Sequence, residues 1–385
     1  MRPFPDSSPR TCRLALALVL LLSCSCRLLP AQSNSNSADF ASLSARANAA
    51  RDSNRLDEAV ALYKKALGIN PQWAEGWFNL GTVAYARNDY AGAARAFRRV
   101  LPLAPKEGSA YALLGLCEYE LGEYDSALKH IEEASALGVA KNPQFRQVVL
   151  YHEGLLNLRK SRFRGASEAL GQLCRDNQYD PQTTMAMGMA ALRIPGTSMP
   201  ANGSLESIVV PRVGHAACLA AAQKYDVARP EFAAVVNDYP KFPNIHFAYG
   251  KFLAETNEIG PAVTQFELEI QNNPQDVYSR LEIAATDYKV DSAAGIPYAE
   301  RALQLAPQVM FAHYLLGLLY LDTGDFQKAI PHLELAAKAF PKAPDIHFAL
   351  SSALAKAGRK QESQEALRTY QRLKQETNED VKASY

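Results

Sequence analysis

Six prolines recur along the chain at an almost constant interval. These periodic prolines are Pro71, Pro105, Pro240, Pro274, Pro307 and Pro341. The first two are one period apart, the last four repeat that period to within a single residue, and the gap between the two groups is close to four further periods. A fixed period of about 34 residues is typical of a solenoid in which each period is one helix–turn–helix unit. Proline lacks a backbone N–H, so it can end one helix pair and begin the next.

Small and large apolar residues hold the same places within each period. The clearest period contains, in order, His313, Leu316, Gly317, Tyr320, Ala329, Leu333, Ala336 and Pro341. Residues three and four apart share one face of a helix, so this spacing predicts an apolar stripe on each helix. We expect Gly317 and Ala329 to be small because the two helices of a pair approach each other closely there.

This pattern resembles the tetratricopeptide repeat, W-x2-L-G-x2-Y…A-x3-F…P, with histidine in the tryptophan position. The resemblance covers residues 40–375. It implies an all-α fold, a right-handed superhelical solenoid of about nine stacked helix–turn–helix units. We expect a polar linker at 32–39, an irregular insertion at 193–212 and a polar tail at 376–385. The insertion includes a stretch rich in Pro, Gly and Ser, which predicts either a tolerated bulge, the favoured interpretation, or a functional lid.

The N-terminus has the pattern of an export signal. Arg10 and Arg13 come before an apolar run, Leu14–Leu22, that is too short to span a bilayer. Cleavage after Ala31, with residues 1–31 as signal peptide, would release a periplasmic or secreted protein. Alternatively, Cys24 is a candidate lipidation site, which would make the chain an outer-membrane lipoprotein. We therefore expect export, and membrane contact only through such an N-terminal lipid.

The remaining sequence gives little sign of chemistry. A net charge of +1 does not predict nucleic-acid binding. There is no phosphate-binding glycine loop, nucleophile elbow or metalloprotease helix, and we expect no catalytic residue, cofactor or metal. His246, His313 and His347 share one place in their periods, too far apart to hold a common ion, and are interpreted as packing substitutes for tryptophan.

Two further groups of residues are given structural interpretations. Cys117, Cys174 and Cys218 are expected to be buried thiols rather than disulfide partners or catalytic groups. The basic run from Arg159 to Arg164 is expected to be a solvated turn rather than a site for an anionic partner.

The tetratricopeptide resemblance implies a concave groove lined by the first helix of each unit, which would hold a protein or peptide segment. Carried onto this sequence, the groove residues lie beside the packing stripe, and many are aromatic. They are Phe78, Thr82, Tyr85, Leu116, Tyr119, Phe247, Lys251, Tyr278, Leu281, Tyr288, Phe311, Tyr314, Leu318 and Phe348. Aromatic side chains supply large contact area for little rotamer entropy, so an apolar or mixed segment is the expected ligand.

The function that these observations favour is a non-enzymatic scaffold or adaptor of the cell envelope. One alternative is an accessory module of an envelope enzyme or of a transport or assembly complex, in which the 193–212 insertion gates a small ligand or glycan. Another is a structural protein that associates with itself. The partner and the oligomeric state are left open by the sequence.

Overall fold

The computed structural model describes residues 35–176, 180–196 and 200–383. These residues form nineteen α-helices and one short 3-10 helix at Val139–Lys141, and they contain no β-strand. The predicted signal segment, its cleavage point after Ala31 and the candidate lipidation site Cys24 lie outside the described residues. Two compact units follow one another along the chain, the first ending at Glu231 and the second beginning at Phe232.

Each unit is built from antiparallel pairs made of a first and a second helix. In unit 1 the pairs are α1 (Ser35–Asp52) with α2 (Leu56–Ile69), α3 (Ala74–Ala86) with α4 (Tyr90–Val100), α5 (Gly108–Glu120) with α6 (Tyr124–Ala136), α7 (Pro143–Arg159) with α8 (Phe163–Arg175), and α9 (Pro181–Ala191) with α10 (Leu205–Ala221). Helix α11 (Tyr225–Asp238) crosses the boundary between the units.

Unit 2 continues the same arrangement with four pairs. They are α12 (Ile245–Glu255) with α13 (Ile259–Asn272), α14 (Tyr278–Asp287) with α15 (Ser292–Leu305), α16 (Met310–Asp322) with α17 (Phe326–Ala339), and α18 (Pro344–Lys356) with α19 (Lys360–Ala383). Within this unit each second helix also contacts the first helix of the pair that follows it. The predicted all-α solenoid of stacked helix pairs is confirmed.

Close contact within a pair is set by one glycine of the first helix. A Cβ atom built on this glycine would lie 2.6–2.8 Å from a large apolar side chain of the second helix in five pairs. The facing residues are Gly81 with Phe97, Gly115 with Ile131, Gly154 with Leu170, Gly250 with Phe266, and Gly317 with Leu333. All five large side chains are completely buried. The expectation that Gly317 marks a close helix approach is met, because any side chain there would overlap Leu333.

The irregular pair differs in detail from the sequence-based expectation. Helix α10 begins at Leu205, so only residues 192–204 connect α9 to α10, and the rest of the predicted 193–212 insertion is helical. Helix α10 packs directly on α9: a Cβ on Gly188 or on Gly214 would lie 1.9 Å from a backbone oxygen of the other helix. Glycine at both positions therefore permits a crossing at backbone contact.

Both ends of the predicted array also differ from expectation. Helix α1 begins at Ser35, inside the segment expected to be a linker, and α19 continues to Ala383, inside the expected polar tail. Phe40 of α1 packs edge-on against Trp73, with ring centroids 5.2 Å apart, which is a tertiary contact that extends the array toward the N-terminus.

The interpretation of the cysteines is wrong for two of the three. Cys174 of α8 and Cys218 of α10 form a disulfide bond across 44 residues of sequence, with Cα atoms 5.0 Å apart. Cys117 is a buried free thiol, as expected. The disulfide joins the irregular pair to the pair before it, and the close α9–α10 crossing accompanies this contact of α10 with α8.

Candidate protein-interaction surface

Five of the predicted groove residues are buried rather than accessible. Thr82, Tyr85, Leu116, Phe247 and Leu281 are each at most 6% exposed. The expectation that they line an open groove is therefore wrong, because these side chains pack inside the array. Tyr85 and Leu116 belong to the hydrophobic core of unit 1 and Leu281 to that of unit 2, and Phe247 packs on Phe266 of the second helix of its own pair.

Ring contacts show that some of the predicted aromatic residues pack inside a helix pair. Phe247 packs on Phe266 with ring centroids 6.0 Å apart, and Phe78 packs on Phe97 at 5.7 Å. Phe78 is consequently half-buried. The packing partner of each ring is therefore the second helix of the same pair rather than a ligand.

The two tyrosines that fall one residue late in the repeat pattern, Tyr85 and Tyr119, make a recurring packing contact. Tyr85 meets Tyr90 at 5.4 Å, and Tyr119 meets Tyr124 at 5.7 Å, both edge to face across the turn within a pair. Tyr119 also contacts His152 at 4.9 Å and is half-buried. Most of the predicted face of unit 1 is thus occupied by internal packing.

Accessible aromatic surface is concentrated in unit 2. Phe311 and Phe348 are each 51% exposed, and Tyr278 is 39% exposed. Tyr288, Tyr314 and Leu318 are half-buried at the edge of the hydrophobic core. We call the six residues Tyr278, Tyr288, Phe311, Tyr314, Leu318 and Phe348 the aromatic face.

Five of the six members of the aromatic face belong to first helices, and the sixth, Tyr288, directly follows α14. Helix α16 touches both α14 and α18. Phe311, Tyr314 and Leu318 follow the i, i+3, i+7 spacing of one helix face, and the rings of Phe311 and Tyr314 are 6.4 Å apart. Burial raises the pKa of the Tyr314 hydroxyl, and Asp345 and Tyr288 raise it further.

Charged side chains border the aromatic face on α12 and α14. Lys251, the remaining predicted groove residue, is half-buried, and its Nζ donates a hydrogen bond of 3.1 Å to Glu282. The Glu255 side chain is exposed, but partial burial of its carboxyl raises the pKa of that group, an effect that Lys251 opposes and Glu282 reinforces. The ammonium of Lys289 lies over the Tyr288 ring, 5.5 Å from its centroid. The repeat pattern did not predict Glu255 and Glu282 as neighbours of the aromatic face; their spacing from the aromatic residues along the sequence is the one signal that could have found them.

The three histidines in the tryptophan position make a specific hydrogen bond that explains the substitution. The Nε2 atoms of His246, His313 and His347 lie 2.9, 3.2 and 3.0 Å from the carbonyl oxygens of the periodic prolines six residues earlier. Trp77 Nε1 donates to the Pro71 oxygen in the same way, at 2.8 Å. Because a carbonyl oxygen only accepts, the histidines carry a proton on Nε2. Histidine and tryptophan both have this ring N–H, so the residue in this position donates a hydrogen bond in addition to packing. Across residues 35–176, 180–196 and 200–383, no group of three or more His, Cys, Asp or Glu could hold a metal ion.

The basic run at the α7–α8 turn is balanced by nearby acids and an aromatic ring. Lys160 pairs with Asp125, Arg162 with Glu132 and Arg164 with Glu168. The Arg159 guanidinium lies 3.7 Å from the centroid of the Tyr124 ring. These contacts favour a structural turn over a site for an anionic partner.

The start of the α9–α10 connection is held against α7 and α8. The Gly196 N–H donates to the Leu158 oxygen at 3.0 Å, and the Arg193 guanidinium lies over the Phe163 ring at 5.0 Å. Ser204 accepts the Ser207 N–H to cap α10 at the other end. Residues 197–199 lie outside the described part of the chain. Both described ends of the connection are therefore tied to helices, which favours the bulge interpretation over the lid.

Comparison with protein families identifies the repeat. The tetratricopeptide-repeat family matches at residues 44–108, 78–138, 291–344 and 314–377. Residues 44–138 and 291–377 are therefore tetratricopeptide repeats, and these repeats support a role as a protein-interaction scaffold.

Two curated proteins share short stretches with the chain. Protein FlbA of Caulobacter vibrioides is 41% identical over 86 residues, which cover 22% of this chain and 14% of FlbA. Protein O-mannosyl-transferase TMTC1 of Homo sapiens is 33% identical over 60 residues, which cover 16% of this chain and 7% of TMTC1. The chain thus matches a small fraction of either relative's length.

Solved structures of similar fold include MamA from Desulfovibrio magneticus RS-1 and the APC/C hetero-tetramer Cut9–Hcn1. The first is 18% identical with a TM-score of 0.41, covering 44% of this chain and 96% of that one. The second is 13% identical with a TM-score of 0.36, covering 94% of this chain and 89% of that one. Within the described residues, each helix is too short or too polar to cross a bilayer.

Proposed function

We propose that this chain is a non-enzymatic scaffold that binds a segment of a partner protein on the aromatic face of unit 2. The observation that carries the proposal is the half-exposure of Phe311 and Phe348 on two first helices of one unit. Exposed aromatic side chains clustered with half-buried ones are typical of binding hot spots. Phe78 and Tyr119 of unit 1 offer less accessible ring surface, so unit 2 is the proposed site.

We also propose that the chain is exported to the cell envelope. The apolar run Leu14–Leu22 behind Arg10 and Arg13 supports this location. The Cys174–Cys218 disulfide supports it independently, because disulfides persist in oxidising compartments and are rare in reducing ones. Cleavage after Ala31 and lipidation at Cys24 are the two proposed forms. The intact mass of the mature protein, and palmitate labelling of wild type against Cys24→Ala, distinguish them.

The alternative in which the 193–212 insertion gates a small ligand receives less support from the structure. Helix α10 already begins at Leu205, and Gly196 is bonded to the end of α7. A gate would require the Gly196 hydrogen bond to break and the first turn of α10 to unfold. Deleting residues 197–203 and measuring partner binding tests the point: loss of binding in a folded deletion variant would favour the gate over the aromatic face.

The aromatic face is tested by truncating its rings one at a time. Partners are recovered from an envelope extract with the full chain, identified by mass spectrometry and remeasured as purified pairs. We expect Phe311→Ala, Tyr314→Ala and Phe348→Ala each to weaken binding by about 1–2 kcal/mol, roughly five- to thirtyfold. Leu335→Ala is the matched control, because Leu335 is 46% exposed but lies on a second helix. Equal binding by the three ring variants and the control would contradict the proposal.

A further inference from the structure

The first helices of unit 2 combine exposed aromatic rings with an excess of acidic side chains. Helices α12, α14, α16 and α18 carry five acidic and three basic residues within their bounds. Asp345 lies three residues before Phe348, so the two share one face of α18. The first helices of unit 2 therefore carry a small excess of acidic residues, although the whole chain is nearly neutral.

The basic side chains near the aromatic face are already engaged. Lys251 is bonded to Glu282, and Lys289 lies over the ring of Tyr288. Arg280 is buried, and its guanidinium donates to the Asp276 carbonyl oxygen. These three positive charges are directed toward neighbours of the same chain rather than toward a ligand.

Two acidic side chains, in contrast, are exposed and form no ion pair within the described part of the chain. They are Asp345 on helix α18, which contacts the helix α16 that carries Tyr314, and Glu255 at the end of helix α12. Lys356, at the far end of α18, is an exposed basic residue of the same set of helices. Asp345 therefore provides an exposed negative charge on the same helix face as Phe348.

Aromatic rings beside an unpaired carboxylate suit a cationic side chain. The face of a tyrosine or phenylalanine ring attracts an ammonium or guanidinium group, and the carboxylate adds an ion pair at the same place. Phe311 and Tyr314 on helix α16, and Asp345 on the contacting helix α18, provide both components in unit 2. An acidic segment would instead meet Asp345 and Glu255 as like charges.

We propose that the aromatic face selects peptide segments in which a lysine or arginine adjoins apolar residues, with the basic side chain held by Tyr314 and Asp345. This inference rests on the proposed function and specifies the partner's chemistry. The basic group would lie against the Tyr314 ring and the Asp345 carboxylate, while the apolar residues of the peptide cover Phe311, Leu318 and Phe348.

The probe is a random peptide library displayed on phage and selected on the immobilised mature chain. We expect the retained peptides to be enriched in Lys or Arg next to Leu, Ile, Phe or Met. In a synthetic copy of a retained peptide, changing the basic residue to Gln should weaken binding about tenfold. Raising the salt concentration should weaken the binding of the unchanged peptide more than the binding of the Gln copy. Retained peptides that are neutral or acidic would overturn the inference while leaving the proposed function intact. No specific retention at all would overturn both.

Charge-reversal variants locate the basic side chain on the protein. Asp345→Lys should reverse the preference and Asp345→Asn should weaken binding of the basic peptide, whereas Glu365→Lys should leave it unchanged. Glu365 is a matched control, because it is an exposed acid on the second helix of the same pair. Circular dichroism of each variant confirms that it is folded, and Glu255→Gln provides a second variant if Asp345→Lys is not. Equal effects of Asp345→Lys and Glu365→Lys would overturn the inference. A dimeric chain that Phe311→Ala converts to a monomer would also overturn it, because a second copy would then occupy the face.

Discussion

Substituting Gly250 with alanine tests the close-contact glycine that recurs through the array. A Cβ at this position would lie 2.6 Å from the ring of Phe266, and Phe266 is completely buried. The ring cannot rotate away freely, since it also packs on Phe247 with centroids 6.0 Å apart. The added methyl group must therefore push α12 away from α13.

The expected magnitude is a balance of two effects. Overpacking a well-packed core costs about 1–3 kcal/mol. Replacing glycine by alanine inside a helix returns about 1 kcal/mol, because the unfolded chain loses conformational freedom. We therefore expect Gly250→Ala to lower the free energy of unfolding of unit 2 by about 1 kcal/mol, and at most about 2 kcal/mol.

Urea unfolding followed by circular dichroism measures this change, with Gly260→Ala as the matched control. Gly260 is also helical and lies in the same pair, but a Cβ there would meet no atom within 4 Å. That control should be neutral or slightly stabilising. The double variant Gly250→Ala with Phe266→Leu should lose less than the sum of the two single changes, because the smaller, more flexible side chain leaves room for the methyl. If Gly250→Ala is as stable as Gly260→Ala, the steric reasoning is wrong.

Three further outcomes follow from the packing. Replacing Cys174 and Cys218 by serine should destabilise unit 1 by up to about 4 kcal/mol, because the disulfide closes a loop with a sequence separation of 44 residues and so limits the entropy of the unfolded chain. The control Cys117→Ser should leave the sensitivity to reductant unchanged. Thermal melts with and without reductant measure both. His347→Phe should cost about 0.5–1.5 kcal/mol, because the bond to the proline carbonyl is lost, and His347→Trp should restore most of it in the same unfolding assay. Burial and a neighbouring histidine lower the pKa of His332. Unit 2 should therefore lose stability as the pH falls below about 6.5, where the unfolded chain takes up a proton that the folded chain resists. His332→Gln should flatten this dependence between about pH 7 and pH 5, and an unchanged slope would show that His332 is not its source.

The architecture could be predicted because its signals are local and repeated. The proline interval and the glycine at each close helix contact depend on a few residues of one pair, so they can be recognised directly in the sequence. Gly81 and Gly317 belong to different units of the chain, yet they occupy equivalent places and face equivalent side chains, Phe97 and Leu333. Repetition turns a weak pattern into a specific one.

The exposure of individual aromatic residues could not be predicted in the same way. Phe247 and Phe348 follow their histidines identically in sequence, yet one is 6% exposed and the other 51%. The difference arises from what the second helix offers: Phe247 meets the large buried ring of Phe266, while Phe348 meets Tyr370 at the edge of the final pair. Such contacts depend on three-dimensional register, which the period alone does not fix.

The disulfide could not be predicted because spacing along the chain carries no signal for it. Cys174 and Cys218 approach each other only where α10 packs against both α8 and α9. The crossing depends on Gly188 and Gly214, which in the sequence look like ordinary repeat glycines. The connection before α10 likewise conceals the helix pairing, because it is longer than the turns inside the regular pairs.

The hydrogen bond from the histidine or tryptophan ring to the periodic proline has a consequence for how such a chain can change in length. Donor and acceptor are six residues apart, so the bond lies entirely within the start of one repeat. Duplicating or deleting one whole repeat therefore carries the bond along intact, and the new copy arrives with its own helix-starting contact. The Cys174–Cys218 bond behaves in the opposite way, because inserting or removing a repeat between its ends would separate the two sulfurs. A regular pair can therefore be duplicated or deleted without loss of this hydrogen bond. The α9–α10 pair, which the disulfide joins to α8, must keep its place in the order of the helices.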